Sequence, residues 1–145
     1  DSINIYSVAV SDEDMISILN IQDVTPGAAV HTESKDNIEI TDEGYDVVWR
    51  EGISAITLDR FCSEQNIFPN SMKIDTDGNE AKILAGASNV LANKKLRSIV
   101  LELPTNPVVA EQCISLLKNA GFSLEWSRDN TRNQIWKKND YTHLE

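Results

Sequence analysis

The feature that most constrains the fold is an alternation of helical and extended apolar patterns after Thr57. Thr57 is a good helix N-cap, and Leu58, Phe61 and Cys62 lie on one helical face behind it. Strands that alternate with helices form βαβ units with parallel strands, and a final pair of strands without a helix forms an antiparallel hairpin. The predicted elements are a helix from Thr57 that stops before Pro69, a strand at 71–75, a helix at 80–92, a strand at 97–103, a helix from Pro107 to Ala120, and strands at 122–126 and 133–137.

The first half of the chain carries extended patterns and no helical periodicity. Residues 3–10 alternate and are rich in β-branched side chains, which predicts a strand. Residues 15–21 predict a second strand, antiparallel to its neighbour. Residues 22–37 are rich in Asp, Thr, Pro, Gly and Ser and predict a loop, and short strands are predicted near 38–40 and 45–49.

The charge balance excludes two classes of partner. The 145 residues include 23 acidic and 13 basic side chains, a net charge of −10 at pH 7. An acidic surface repels phosphate backbones and anionic lipids, so we expect neither nucleic acid nor a membrane as a partner. No apolar run approaches the roughly 20 residues that cross a bilayer, and no signal-peptide pattern is present, which predicts a cytoplasmic protein. Cys62 and Cys113 lie on apolar helical stripes and are predicted to be buried, reduced thiols.

One segment combines several chemically active side chains. Residues 73–80, KIDTDGNE, place Asp75, Asp77 and Glu80 where a predicted strand turns into a helix. In open α/β sheets, ligands bind beyond the carboxyl ends of the strands, where a carboxylate can orient a hydroxyl, take a proton or hold a metal ion. Gly78 allows a sharp turn or a close approach to a ligand. Asp77 and Glu80 can equally serve only as caps of the helix, whereas Asp75 ends an apolar run at the rim of the core.

The segment matches two known sequence motifs in part and departs from each of them at other required positions. An EF-hand calcium loop would use Asp75, Asp77 and Asn79 as its first ligands, but it needs Gly at its sixth position and Glu at its twelfth. Those positions hold Glu80 and Gly86. A haloacid-dehalogenase-type phosphatase has a similar Asp-x-Asp-Gly-Thr motif, but Asn79 replaces the Thr and no late acidic pair for magnesium follows. Both hypotheses are weaker than the one that the whole chain supports.

The order of the parts along the chain resembles the FkbM family of S-adenosylmethionine-dependent methyltransferases. Each part is weak alone, and the resemblance rests on six of them in the same order between residues 3 and 137. One departure is Asp77, where the family usually has Glu. The six parts are AVSD at 9–12, ITLD at 56–59, KIDTDGNE at 73–80, ILAGA at 83–87, VLEL at 100–103 and the Gly121-Phe122 pair.

The resemblance implies a Rossmann-like methyltransferase fold, an α/β domain with a mostly parallel sheet and an antiparallel last strand. The family builds its cofactor site mainly from a glycine-rich turn after the first strand and an acidic residue that ends the second strand. Neither feature is present in this sequence, so we expect the chain to lack the first two strands. Residues 1–143 would then be a partial methyltransferase domain, and Leu144 and Glu145 are typical of residues left by an expression vector.

The resemblance also implies a role for individual residues. Asp75 corresponds to the position that faces the methyl group and the acceptor hydroxyl. A Mg²⁺ ion bridging Asp75 and the acceptor would fit the chemistry, although the sequence carries no metal motif to support it. The residues expected to bind S-adenosylmethionine, at the edge that meets its adenine, are Ala9, Val10, Ser11 and Asp12. The residues expected to be catalytic are Asp75, Asp77, Glu80 and Glu102.

The implied activity is methyl transfer to a hydroxyl oxygen of a small molecule or a glycan. In such a reaction the protein mainly aligns the partners and helps to remove a proton. The missing glycine-rich turn favours a rival hypothesis, a non-catalytic association module or degenerate remnant. Without the first two strands, the strand at 71–75 would have an open edge, so we expect residues 3–10 to fill it or a second copy to pair there as a homodimer.

Overall fold

The computed structural model describes residues 3–26, 28, 31–36, 46–128 and 131–139. The strands in this part of the chain are β1 (Ala9–Ser11), β2 (Met15–Ile21), β3 (Thr32–Ser34), β4 (Trp49–Thr57), β5 (Ser71–Ile74), β6 (Ser98–Glu102), β7 (Phe122–Ser127) and β8 (Asn133–Lys138). The helices are α1 (Leu58–Glu64), α2 (Glu80–Ala85), α3 (Ser88–Ala92) and α4 (Pro107–Asn119). None of these helices is long and apolar enough to cross a membrane.

The second half of the chain forms a four-stranded sheet in the order β5-β6-β8-β7. β5 pairs parallel with β6, and Ile74 lies opposite Leu101. β8 pairs antiparallel with both β6 and β7. The predicted parallel neighbours and the antiparallel closing hairpin are therefore confirmed.

The first half forms a separate four-stranded sheet in the order β1-β4-β2-β3. β1 runs parallel to β4, whereas β2 is antiparallel to both β4 and β3. The prediction of one mostly parallel sheet is not confirmed, because the described strands form two mixed sheets.

Two predicted strand boundaries in the first half are wrong. The strand predicted at 3–10 is confined to β1, because residues 3–8 pair with no strand among the described residues and Ile3 and Ile5 are almost fully exposed. The strand predicted at 45–49 is misplaced, because β4 begins only at Trp49 and runs on to Thr57. β4 pairs along its length with β2, from Trp49 opposite Ile21 onward, so a partner distant in sequence decides where it runs.

The region predicted as a loop at 22–37 contains β3. Its residues Thr-Glu-Ser carry no apolar side chain, so periodicity gave no signal for a strand. β3 forms because it pairs antiparallel with β2. The strand predicted near 38–40 lies outside the described residues.

The helix predicted at 80–92 is two helices, α2 and α3, separated near Gly86. α3 takes its N-terminal hydrogen bonds from Asp59 of α1, whose carboxylate accepts from the backbone N–H groups of Asn89 and Val90, both at 2.8 Å. A side-chain acceptor at a helix start satisfies N–H groups that have no partner within the helix. Because this acceptor belongs to another helix, no pattern within 80–92 could predict the break.

The apolar core lies between the second sheet and the helices. Cys62 and Cys113 are buried and free, which confirms the prediction for both thiols. Burial raises the pKa of Cys113 to about 12, so this thiol stays protonated in the folded chain. The most buried apolar side chains include Leu84, Leu96, Ile99, Leu101, Leu117 and Trp136.

The first sheet buries mainly polar side chains. Ala55 is its one fully buried apolar residue among those described. Its attachment to the rest of the chain therefore depends on hydrogen bonds and close backbone contact more than on apolar packing. The buried polar residues of this sheet are Ser11, Ser17, Asn20, Thr32 and Glu33.

The end of α2 lies directly against the backbone of β1. A Cβ atom placed on Gly86 would be 2.2 Å from the carbonyl oxygen of Ser11, far inside van der Waals contact. Only glycine allows this approach, because any side chain would push a helix end away from a strand.

We expect Gly86→Ala to destabilise the chain by about 1–3 kcal/mol, since the backbone of Ser11 must move to admit the methyl group. Gly52→Ala in β4 is the matched control, because a Cβ there meets nothing within 4 Å. Urea unfolding measures both changes through the midpoint at constant m-value. Equal midpoints for the two variants would contradict the close contact.

Candidate active site

The candidate site begins with two carboxyl groups at the same edge of the second sheet. Asp75 directly follows the last residue of β5, and Glu102 is the last residue of β6. Because β5 and β6 pair in parallel, both carboxyl groups lie at the same edge of the sheet. The two carboxyl groups are close enough for each to shift the pKa of the other. Neighbouring carboxyl groups repel when both are ionised, which separates their two ionisations.

Two cations flank this carboxyl pair. Lys73 forms an ion pair with Asp75, and Arg132 Nη2 lies 3.0 Å from Glu102 Oε1. The ammonium group of Lys73, together with the hydrogen bond from Glu102, lowers the pKa of Asp75. The hydrogen bond with Asp75, assisted by burial, raises the pKa of Glu102. Asp75 is therefore the more acidic of the two groups, and Glu102 takes up a proton first as the pH falls.

Glu80 holds the loop between β5 and α2 by accepting hydrogen bonds from loop residues. Its side chain is 1% exposed, and its Oε1 accepts from Thr76 N and Thr76 Oγ1, both at 3.1 Å, with Gly78 N at 3.5 Å. Gly78 has a φ of 105°, a conformation that favours glycine. Burial raises the pKa of Glu80, and its second oxygen has no hydrogen-bond partner. Glu80 thus acts on the loop as a local acceptor for backbone N–H groups.

The loop also contacts the first sheet. The backbone carbonyl of Asp77 accepts from Thr32 Oγ1 at 3.4 Å. The side-chain amide of Asn79 donates to the backbone carbonyl of Glu33 at 3.2 Å. Asn79 stands at the N-cap position of α2 but makes no side-chain cap there, so its amide serves the contact with β3 instead.

A cavity of about 690 Å³ lies between β1 and β5. Of the predicted site residues, Ala9, Val10 and Asp75 line this cavity. Asp77, Glu80 and Glu102 are not among its lining residues. Its walls are mostly apolar and come from β1, β4, α1 and β5. Its polar lining consists of His31, Glu33, Lys73, Asp75, Thr76 and Asn79.

The other two residues expected at the adenine edge point elsewhere. The Ser11 side chain is buried, and its hydroxyl lies 3.3 Å from Glu33 Oε2 and 3.2 Å from Asp12 Oδ1. Asp12 is exposed beside a shallow groove between α2 and α4. The roles predicted for Ala9, Val10, Ser11 and Asp12 stay predictions.

Sequence reasoning missed three polar residues of this region. Arg132 lies in the β7–β8 hairpin, and Lys73 was noted only as part of its motif. Glu33 lies in a polar stretch with no periodic signal of burial. Within the described ranges, no group of three or more His, Cys, Asp or Glu side chains is arranged to hold a metal ion.

The fold and the carboxyl pair define an α/β protein with an acidic site at the ends of parallel strands. Comparison with family models names the family: the methyltransferase FkbM domain matches residues 1–124. The chain therefore belongs to the FkbM methyltransferase family, which confirms the resemblance predicted from its six sequence parts. No curated protein and no solved structure matches the chain.

We expect Asp75→Asn to lower the pKa of Glu102. The substitution replaces a neighbouring carboxyl group by an amide, which can donate to the ionised form of Glu102. Nuclear magnetic resonance titration with carboxyl-labelled Glu measures the change. Asp77→Asn is the matched control and leaves the Glu102 titration unchanged. A Glu102 titration that is the same in wild type and Asp75→Asn would show that the pair does not form in solution.

Proposed function

We propose that this chain is part of an S-adenosylmethionine-dependent methyltransferase that acts on a hydroxyl oxygen of a small molecule or a glycan. Family membership supports methyl transfer. The observation that carries the choice of oxygen is the pair of neighbouring carboxyl groups at Asp75 and Glu102, because a hydroxyl must lose its proton when its oxygen is methylated.

The residues of this chain can handle that proton. Asp75 lines the cavity, and the ammonium group of Lys73 favours its ionised form, so its carboxylate can accept a hydrogen bond from an acceptor hydroxyl. It takes the proton as the hydroxyl oxygen forms its new bond, and Arg132, 3.0 Å from Glu102, adds a positive charge beside the carboxyl pair. S-adenosylmethionine, when bound, supplies the methyl group.

The residues present fit only part of that cofactor. Ala9 and Val10 offer an apolar edge for an adenine face. The Ser11 hydroxyl is within hydrogen-bond reach of Glu33, and the sequence has no glycine-rich turn after a strand to hold the rest of the molecule. We therefore propose that the chain lacks the first two strands of the family's sheet. Among the described residues, β1 and β5 are terminal strands of their sheets and line one cavity, which supports this proposal.

We expect the 145-residue chain to bind S-adenosylmethionine weakly or not at all, since most of the site is missing. Calorimetric titration measures this directly. Val10→Asp is the control variant, because it places a charge on the apolar edge and removes any binding that depends on it. Low-micromolar binding to the wild-type chain that Val10→Asp abolishes would overturn the proposal that the site is incomplete.

One observation favours the second candidate, an association module. β5 is a terminal strand of its sheet among the described residues, so its outer edge presents unpaired backbone groups beside an apolar cavity. Buried backbone groups without partners cost about 1–3 kcal/mol each. β1 pairs with β4 and leaves this edge uncovered, so we propose that a second copy covers it.

We expect light scattering to show a homodimer of the chain at micromolar concentration. Phe68, at the rim of the cavity, and Trp126, on the opposite edge strand β7, are 43% and 45% exposed. Phe68→Asp therefore gives monomers, while Trp126→Asp leaves the dimer intact. A wild-type chain that is monomeric at every concentration would exclude this pairing.

A further inference from the structure

Glu33 is a buried carboxylate that lines the cavity and has no role in the proposed reaction. Its side chain is 5% exposed. The hydroxyl of Ser17 donates to Oε1 in a close contact, and the hydroxyl of Ser11 lies 3.3 Å from Oε2. Lys82 Nζ of α2 lies 3.7 Å from the same Oε2. One carboxylate thus contacts β1, β2 and α2 from its position on β3.

One backbone carbonyl and one side-chain hydroxyl of β3 contact the loop that follows β5. Asn79 donates its side-chain amide to the carbonyl of Glu33 at 3.2 Å, and Thr32 Oγ1 donates to the carbonyl of Asp77 at 3.4 Å. The loop that carries Asp75 is therefore attached to β3 through its later residues.

A buried carboxylate is stable only when its hydrogen-bond donors are in place. The donors to Glu33 come from separate elements, so its burial is favourable only in one relative position of β1, β2, β3 and α2. Hydrogen bonds to a charged group are stronger and more directional than apolar contacts. The carboxylate of Glu33 thus joins the first sheet to α2 through Lys82, while the backbone carbonyl of the same residue joins it to the loop through Asn79.

We propose that Glu33 is a positioning residue that fixes the loop bearing Asp75 relative to the β1 edge. That Asp75 meets the acceptor and that β1 meets the cofactor are roles that rest on the proposed function. The coupling between loop and edge rests only on the contacts of Glu33, Thr32 and Asn79. Glu33 touches neither reacting group in this arrangement and acts through its neighbours.

The test uses the full chain labelled with ¹⁵N only at its six glycines. Gly78 reports on the loop, Gly86 on the contact with Ser11, and Gly121 on the distant end of α4. Glu33→Gln keeps the shape of the side chain and removes its charge. We expect amide exchange at Gly78 to rise about tenfold and the resonances of Gly78 and Gly86 to shift, with Gly121 unchanged.

Two further variants keep the result interpretable. Thr32→Val removes the contact with Asp77 directly and should also accelerate exchange at Gly78. Ser34→Ala changes the same strand, but the hydroxyl contacts of Ser34 are to Asn20 and Asp36, so Gly78 should not respond. An unchanged Gly78 in Glu33→Gln, or an equal rise at Gly121, would overturn the proposal. The test measures amide exchange and not methyl transfer. Its result therefore decides the role of Glu33 even if the proposed activity is absent.

Discussion

Two parallel strands joined by helices end at the same edge of their sheet, and the pairing of β5 with β6 places Asp75 beside Glu102 for this reason. The same pairing buries Ile74 and Leu101 in the core, so the strand ends are held by packing as well as by hydrogen bonds. The loop after β5 then turns at Gly78, and its backbone N–H at Thr76 donates to Glu80 Oε1. Core, loop and carboxyl pair therefore depend on one strand pairing.

The second half of the chain was predictable because its signals are local. Apolar residues at helical spacing, the cap at Thr57 and the proline and glycine at the ends of α4 specify elements without reference to distant partners. The first half was predicted poorly because distant contacts decide it. β4 includes Gly52 and charged residues and is a strand through its pairing with β2, and β3 has no apolar side chain at all.

The candidate site was predictable to a similar degree. Asp75 ends an apolar run, which predicted its place at a sheet edge, whereas Glu102 was predicted only from the family resemblance. The structure brings the two together. The burial of Glu80 and Glu33 was not predictable, because nothing in their surrounding sequence distinguishes a carboxylate that accepts backbone or hydroxyl donors from one exposed to solvent. Several acidic residues in this acidic chain serve as acceptors for N–H and O–H groups, as Asp59 does for α3.

The contrast between an apolar second sheet and a polar first sheet has a consequence for synthesis. The first sheet leaves the ribosome before the second, yet its own buried side chains are mostly polar and its closest neighbour is the end of α2. Polar groups lose water favourably only when their partners are present. Most partners of these polar groups lie within the first sheet itself, but Lys82 and the close contact at Gly86 are added only when the later part of the chain is made.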